Sequence, residues 1–389
     1  MSIKDHLQYL KDTTVKEVDV RSAHQQFADN QSVLIDIREK DEVKSGSPTG
    51  AVRISKGLLE MQIENIVLHK QQVVLLLCAS GNRSVLSANS LAQMGYENVF
   101  SIKGGYKNWK DSGLPFEVPK MLNESDNERY KRHLLIPEIG EEGQMKLLNS
   151  KVLVVGAGGI GSPVAWYLAA AGIGTLAIID DDVVDKTNLQ RQILHTNDSV
   201  GTSKVLSAKK RLEALNPDIN IITYKERLTK ENVDHIIGVY DVVLDGTDNF
   251  NTRYLINDAC VKHKIPNVHG SVFQFEGQVS TFWPSKHENA PCYRCLYPSP
   301  PPAELAPSCA EAGVLGVLPG LVGVLCATEA IKIIAGFGEL LIGKLLVYNA
   351  LDWEFDTFEV QKDTQCKYCN SNKNTEYPEY VEYEDTCTL

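Results

Sequence analysis

The sequence predicts an α/β protein with two parallel-sheet domains, and three observations carry that prediction. Short apolar runs rich in Val, Ile and Leu alternate with segments of helical period, the pattern of buried parallel strands joined by helices. The stretch Lys151–Asp182, KVLVVGAGGIGSPVAWYLAAAGIGTLAIIDDD, condenses a strand, a glycine-rich turn, a helix, a second strand and a run of acids. A polar, proline-led segment over 119–127 divides the alternation into a first part, 1–118, and a second, 128–372, with an acidic tail over 373–389.

In the first part, Lys16–Val20 reads as a short strand and Ser22 as the N-cap of a helix reaching Ala28. Ser32–Arg38 is a buried strand ending in Asp36, Arg38 and Glu39. Leu58–Leu68 is helical, Val73–Leu77 a strand, Ser84–Met94 helical and Val99–Ile102 a strand. The chemistry lies just after Val73–Leu77, in Cys78-Ala79-Ser80-Gly81-Asn82-Arg83-Ser84. A cysteine at a strand's C-terminal end, entering a short loop and then a helix, is ringed by backbone N–H groups. Such a nest stabilises an anion and lowers a thiol pKa. Arg83 adds positive charge, so the site suits a thiolate or a persulfide.

In the second part, helices are predicted over Glu128–Leu134 and Glu141–Leu148. The strand Val152–Val155 then enters Gly156-Ala157-Gly158-Gly159-Ile160-Gly161, and a helix runs over Ser162–Ala171. The strand Thr175–Ile179 ends at Asp180. Glycines let the backbone approach phosphate, the helix N-terminus supplies N–H donors, and Asp180 suits ribose hydroxyls. Taken alone this unit predicts a dinucleotide oxidoreductase. The residues C-terminal to it argue against one. A helix to Leu215, the strand Ile219–Tyr224, a helix over Asn232–Ile237, the strand Asp241–Asp245, the helix Thr252–Lys264 and the strand Pro266–His269 continue the alternation. Along it, Arg191 and Lys204 add two cations, and Asp248 ends a neighbouring strand. Hydride transfer has no use for such a cluster. Two cations beside a carboxylate able to hold Mg²⁺ are what a triphosphate needs when its α-phosphorus is attacked.

Composition bounds the remaining possibilities. The 389 residues carry 43% hydrophobic and 23% charged side chains, ordinary for a globular protein, and a net charge of −11 that argues against a nucleic-acid partner. MSIKDHLQYLKD lacks the basic start and apolar core of a signal peptide. The longest uncharged apolar run, Ala312–Thr328, is interrupted by Pro319 and leads into Glu329 and Lys332, so it predicts a buried helix rather than a membrane span. Nine cysteines include the pairs Cys292/Cys295 and Cys366/Cys369. Without a secretion signal these point to metal or redox chemistry in a reducing cytoplasm rather than to a disulfide framework. Four thiolates in two CxxC pairs match a closed tetrahedral Zn²⁺ site. Between the pairs lies a proline-rich stretch, Pro298–Pro307, that leads to Cys309. Cys260 and Cys326 are predicted to pack in the core, residues 370–389 to be disordered, and Cys387 has no assignment.

Two resemblances sharpen this. LIDIRE at 34–39, CASGNRS at 78–84 and KGGYKNWKDSGLP at 103–115 resemble the rhodanese family, which implies a sulfane sulfur carried on Cys78. The six-residue span from Cys78 to Arg83 has the length found in sulfur transferases. One departure is GSPTGA at 46–51, where that family usually has a histidine before the turn. From Arg129 to Cys369 the chain resembles the MoeB/ThiF family, relatives of ubiquitin-activating enzymes. RYKRHLL, VGAGGIGS, DKTNLQRQILH, VGTSK, LDGTDN, EGQVSTF, PCYRCLYP, CAEAGVLG and CKYC stand in order. The resemblance implies a Rossmann-like adenylation domain that acts on the C-terminal glycine of a ubiquitin-like sulfur carrier ending in Gly-Gly. Gly156, Gly158, Gly159, Gly161, Asp180, Thr187, Asn188, Leu189, Gln190, Arg191, Lys204, Asp248 and Asn249 are then expected around ATP and Mg²⁺, with Arg132 reaching in from the other subunit of a homodimer. It also implies that Cys309 can take up the acyl group, and that the product serves a molybdopterin, thiamine or tRNA-thiolation pathway. The sulfur would come from a donor such as a cysteine desulfurase or thiosulfate. Relatives with both parts more often carry the sulfurtransferase last; here it comes first. A ubiquitin-like activator without sulfur chemistry is the alternative, opposed by Cys78 in its nest.

Overall fold

The computed structural model describes residues 2–29, 32–118, 122–301, 313–370, 377–381 and 383. They form two compact units, 1–121 and 122–389, each with its own core.

The first unit is a five-stranded parallel sheet in the spatial order Lys16–Val18, Val99–Ile102, Val73–Leu77, Ser32–Asp36 and Val52–Arg53. Leu34 and Leu75 face one side of it, Ile35 and Leu76 the other, so helices cover both faces. An additional N-terminal helix, Ile3–Thr13, tucks Leu10 into the core. The second helix starts at Val20 rather than after Ser22. Asp19 caps it, accepting from the Arg21 and Ser22 N–H groups, because a carboxylate meets two orphan donors where a hydroxyl meets one. The predicted Leu58–Leu68 helix is three short turns, Lys56–Leu58, Leu59–Gln62 and Ile63–Asn65. Its apolar spacing of four (Leu59, Ile63, Val67) still points into the core.

The second unit is an eight-stranded sheet. In spatial order it runs Asn220–Tyr224, Thr175–Ile179, Lys151–Val155, Val242–Asp245, Asn267–Phe273, Glu276–Phe282, Lys344–Asn349 and Glu354–Glu359. The first five strands are parallel and the last three antiparallel. From Lys151–Val155 the chain builds outward to one side, then returns to add Val242–Asp245 on the other. That reversal leaves a crevice at the strands' carboxyl ends, where open α/β sheets bind ligands. Glu128–Leu134 resolves into two helices, Glu124–Arg129 and Lys131–Leu134.

The apolar run after residue 312 becomes the helix Val317–Ala335, long and apolar enough to span a membrane by composition. Its Val322, Cys326 and Ala330 are buried in the unit's main core, as predicted, and Leu318 is buried as well. Pro319 does not interrupt this helix. It sits in the first turn, where a missing N–H costs nothing. Cys260 and Cys326 are both buried.

Candidate functional site

Cys78 stands at the end of the Val73–Leu77 strand and is fully buried. The Gly81 N–H donates to Sγ at 3.1 Å, the Ser84 N–H at 3.4 Å, and the Ser84 hydroxyl lies 3.5 Å away. Burial opposes ionisation, yet these donors outweigh it and hold the thiol below its ordinary value. Gly81 opens the next helix with φ +91°, a left-handed turn that glycine adopts without strain. Gly105 explains the KGGY signature. A Cβ there would stand 2.1 Å from the Cys78 carbonyl, which instead accepts the Tyr106 N–H at 2.7 Å.

Arg83 is held by a carboxylate from another element of the same unit. Its guanidinium is paired twice with the Glu42 carboxylate, at 2.7 and 2.5 Å, so its charge is partly offset. Beneath lies a second pair, fully buried: Arg38 grips Asp36 at 2.6 Å and the Gly46 carbonyl at 2.6 Å, and its guanidinium stacks on Tyr106 at 3.7 Å. Ser47, in the segment that departs from the rhodanese pattern, donates to Asp36 at 2.8 Å.

In the second unit the crevice is a cleft of about 300 Å³. Gly156, Gly158, Gly159, Asp180, Arg191, Lys204, Asp248 and Asn249 line it. Gly156 has φ +92°, and a Cβ on Gly161 would lie 1.8 Å from the Gly156 carbonyl, so Gly161 serves the tight turn behind the cleft. Asp180 accepts the Ala157 N–H at 2.7 Å and the Asp182 N–H at 2.9 Å. Burial pushes its carboxyl above the ordinary value, against the pull of Lys204 and those donors. Lys204, nearly buried, is paired with Asp182 at 2.6 Å. Arg191 is braced by the Asn188 side chain at 3.0 Å and reaches the Thr187 carbonyl at 3.4 Å. Thr187, Asn188, Leu189 and Gln190 are not among the residues lining the cleft; Thr187 and Asn188 act by holding Arg191. Asn249 lines the cleft and also caps the helix Phe250–His263, accepting the Thr252 N–H at 2.9 Å. Arg132 is exposed on Lys131–Leu134, away from the cleft wall.

Gln192, Glu226, Arg227 and Arg253 also line the cleft and were not anticipated. Arg253 was within reach of the sequence. It stands five residues after Asp248, in the first turn of a helix whose N-terminus opens on the cleft, and it binds the Thr247 carbonyl at 2.9 and 3.2 Å. Glu226 and Arg227 come just after the edge strand and carry no motif.

The four cysteines of the CxxC pairs converge. Their sulfurs all lie within 4.8 Å of one another, with Cys292–Cys295 at 3.8 Å, Cys292–Cys366 at 3.7 Å and Cys295–Cys369 at 3.5 Å. Tetrahedral Zn²⁺ with sulfur at about 2.3 Å requires edges of about 3.8 Å, so the donor set fits that ion. Arg294, between the first two cysteines, pairs twice with buried Asp258, both contacts at 2.7 Å. Cys309, Cys387 and most of the predicted disordered tail lie outside the described residues. The expectation of disorder fails for the described part. The Tyr377 hydroxyl donates to the Asp258 carbonyl at 2.8 Å, Tyr380 to Asp234 at 2.6 Å, and Tyr383 meets Arg294 at 2.7 Å.

The ThiF family model matches residues 130–368, and a rhodanese-like domain model matches 8–112. The sulfur carrier protein adenylyltransferase of Thermus thermophilus is 48% identical over 264 residues, covering 67% of this chain and 97% of that protein. The probable adenylyltransferase/sulfurtransferase MoeZ of Mycobacterium tuberculosis is 47% identical over 276 residues, 70% of this chain and 67% of that protein. Among solved structures, Escherichia coli MccB with ATP superposes with a TM-score of 0.55 at 25% identity, over 64% of this chain and 75% of that one.

Proposed function

Because the chain belongs to the ThiF family and carries a rhodanese-like domain in front, we propose that it activates the C-terminal carboxylate of a ubiquitin-like sulfur carrier and then delivers sulfur to it. It is an ATP-dependent adenylyltransferase joined to a sulfurtransferase domain. The observation that carries the detail is the pairing of a cleft lined by glycines, Arg191, Lys204 and Asp248 with a buried cysteine held below its ordinary pKa.

In the first step a carboxylate oxygen of the carrier attacks the α-phosphorus of ATP. The bond to the bridging oxygen breaks, and pyrophosphate leaves. Asp180 takes the ribose hydroxyls. The Gly156–Gly161 turn takes the phosphates on N–H groups, and Arg191 and Lys204 offset their charge. Asp248, exposed at the cleft wall, is the carboxylate suited to Mg²⁺, which would neutralise charge on the departing pyrophosphate. In the second step the terminal sulfur of a Cys78 persulfide attacks the acyl carbon and AMP leaves. A second thiol then attacks the Cys78 sulfur of the acyl persulfide. A disulfide forms and the thiocarboxylate departs. A dithiol reductant then reduces that disulfide, taking up its oxidising equivalents, and a cysteine desulfurase or thiosulfate recharges the freed Cys78 thiolate.

Two surfaces support the partners. Phe273 and Phe275 are exposed at the end of the strand whose Val272 lines the cleft, and Leu351, Trp353, Phe355 and Phe358 are exposed on the neighbouring hairpin. Phe273 and Phe275, exposed next to Val272 of the cleft wall, suit the carrier's docking. Tyr167, Leu135 and Ile136 are exposed beside a hollow lined by His133, Ala170, Val324 and Ile331. We assign that face to the homodimer, with Arg132 directed to the other subunit's phosphates. The thiol chemistry suits a reducing cytoplasm.

The test is a pair of variants. Cys78→Ala should keep carrier-dependent ATP–pyrophosphate exchange within about twofold and lose thiocarboxylate formation. Asp248→Ala should lose exchange while Cys78 still loads with sulfane sulfur. Sulfur transfer by the first variant, or normal exchange by the second, would refute the assignment. Failure of Cys78 to load would favour the activator without sulfur chemistry.

A further inference from the structure

We propose that His269 is a positioning residue for the loop that presents Asp248 to the cleft. The inference rests on the adenylation reading and extends it to a residue that touches no nucleotide.

His269 lies in the strand Asn267–Phe273, in register with Asp245 on the parallel neighbour. Both side chains are buried, at 2% and 1% exposure. The imidazole Nδ1 and the Asp245 Oδ2 are 2.8 Å apart. The other carboxylate oxygen accepts the Thr247 N–H at 3.1 Å and the Thr247 hydroxyl at 2.7 Å. Thr247 in turn offers its carbonyl to Arg253, at 2.9 and 3.2 Å. Thr247, Asp248, Asn249 and Arg253 all line the cleft. One carboxylate is therefore shared between a histidine behind the sheet's end and the turn in front of it.

The protonation is set by the surroundings. An ionised carboxylate only accepts, so Nδ1–H of the ring donates to it; burial meanwhile pushes the imidazole's pKa down despite Asp245. Burial works against charge on Asp245, but the hydrogen bonds from His269 and Thr247 outweigh it and hold the carboxyl below its ordinary value. The ring is packed against Tyr293 and Phe282, centroids 5.0 and 6.1 Å away. Neither of those faces replaces the donor. Without it, a buried carboxylate oxygen facing aromatic rings must turn or take up a proton, and either response loosens Thr247. Asp248 is the next residue. The loss should therefore fall on the Mg²⁺ requirement of the reaction and spare nucleotide binding that uses no metal.

The experiment compares His269→Leu, which has no donor, with His269→Asn, which keeps a side-chain N–H near the Nδ1 position. Carrier-dependent ATP–pyrophosphate exchange is measured against Mg²⁺ concentration, with ADP binding measured without Mg²⁺. H269L should raise the half-saturating Mg²⁺ concentration at least tenfold, with ADP affinity within twofold of the parent. H269N should stay within threefold on both. Should H269L fail to fold, Thr247→Val removes the shorter of the loop's two bonds to the same carboxylate, the hydroxyl one, and leaves the Thr247 N–H bond; it should raise the Mg²⁺ requirement in the same direction, by threefold or more. An unmoved Mg²⁺ requirement in H269L or T247V, or H269N as impaired as H269L, overturns the proposal. If the parent chain shows no exchange with any glycine-ended carrier, the adenylation reading itself fails.

Discussion

Cys78 shows how a few atoms set a reactivity. The cation of its own loop is partly offset, since Arg83 is paired with Glu42. The thiol is lowered by oriented N–H and O–H dipoles, working against its own burial. A lowered pKa means that thiolate persists to lower pH, so sulfane-sulfur loading from thiosulfate should hold its rate below the ordinary thiol range and fall only on further acidification. Ser84→Ala removes the hydroxyl donor and keeps both N–H groups. A hydrogen bond to a charged group contributes about 1.5–3 kcal/mol, so the variant should load roughly tenfold or more slowly at neutral pH, with the acid limb of the profile moved upward. An unchanged profile would mean that the backbone alone sets the thiolate.

One element escaped the sequence reading altogether. The tail is acidic and polar, yet Tyr377, Tyr380 and Tyr383 recur every third residue, and all three turn toward the domain, while Glu379 and Val381 are exposed. A repeat of three is the period of an extended polyproline-like chain, which puts such residues on one side. The strip lies along the helix Phe250–His263, which starts at the cleft, and Tyr383 helps enclose Arg294 together with Tyr254 and Tyr368. Truncation after Glu376 should cost the second unit about 2–4 kcal/mol, since three such hydrogen bonds contribute about 1 kcal/mol each and the rings add partial burial. Chemical denaturation checks this. An unchanged midpoint would show that the strip is bound too weakly to matter.

At the scale of the molecule, the two units have separate hydrophobic cores and separate chemistries. The Cys₄ cluster belongs to the second alone, where it closes a stretch of about seventy residues. Metal analysis should return one Zn²⁺ per chain. Cys366→Ser should lose the ion and lower the second unit's stability by several kcal/mol, because structural zinc binding is folding free energy. Sulfane-sulfur loading on Cys78 should not change. Loss of loading along with the metal would mean that the units do not fold independently. The distinction matters for function, since a chain able to carry sulfur without an adenylation domain would separate the two half-reactions cleanly.

The sequence by itself determined the strand–turn–helix alternation, the glycine turn beside the cleft, the cysteine at its strand end and the fourfold cysteine set. Each is written locally, as an apolar period, a glycine spacing or a ligand pair, and local signals survive without the fold. Only the tertiary structure decided which partners those residues meet. Glu42 claims Arg83 from forty-one positions away, Asp182 claims Lys204, and His269 reaches Asp245 from the next strand. Such contacts depend on strand order and register, which no short window of residues contains. The tyrosine strip was missed for a related reason: its composition spells solvent, and only the face it covers makes it structure.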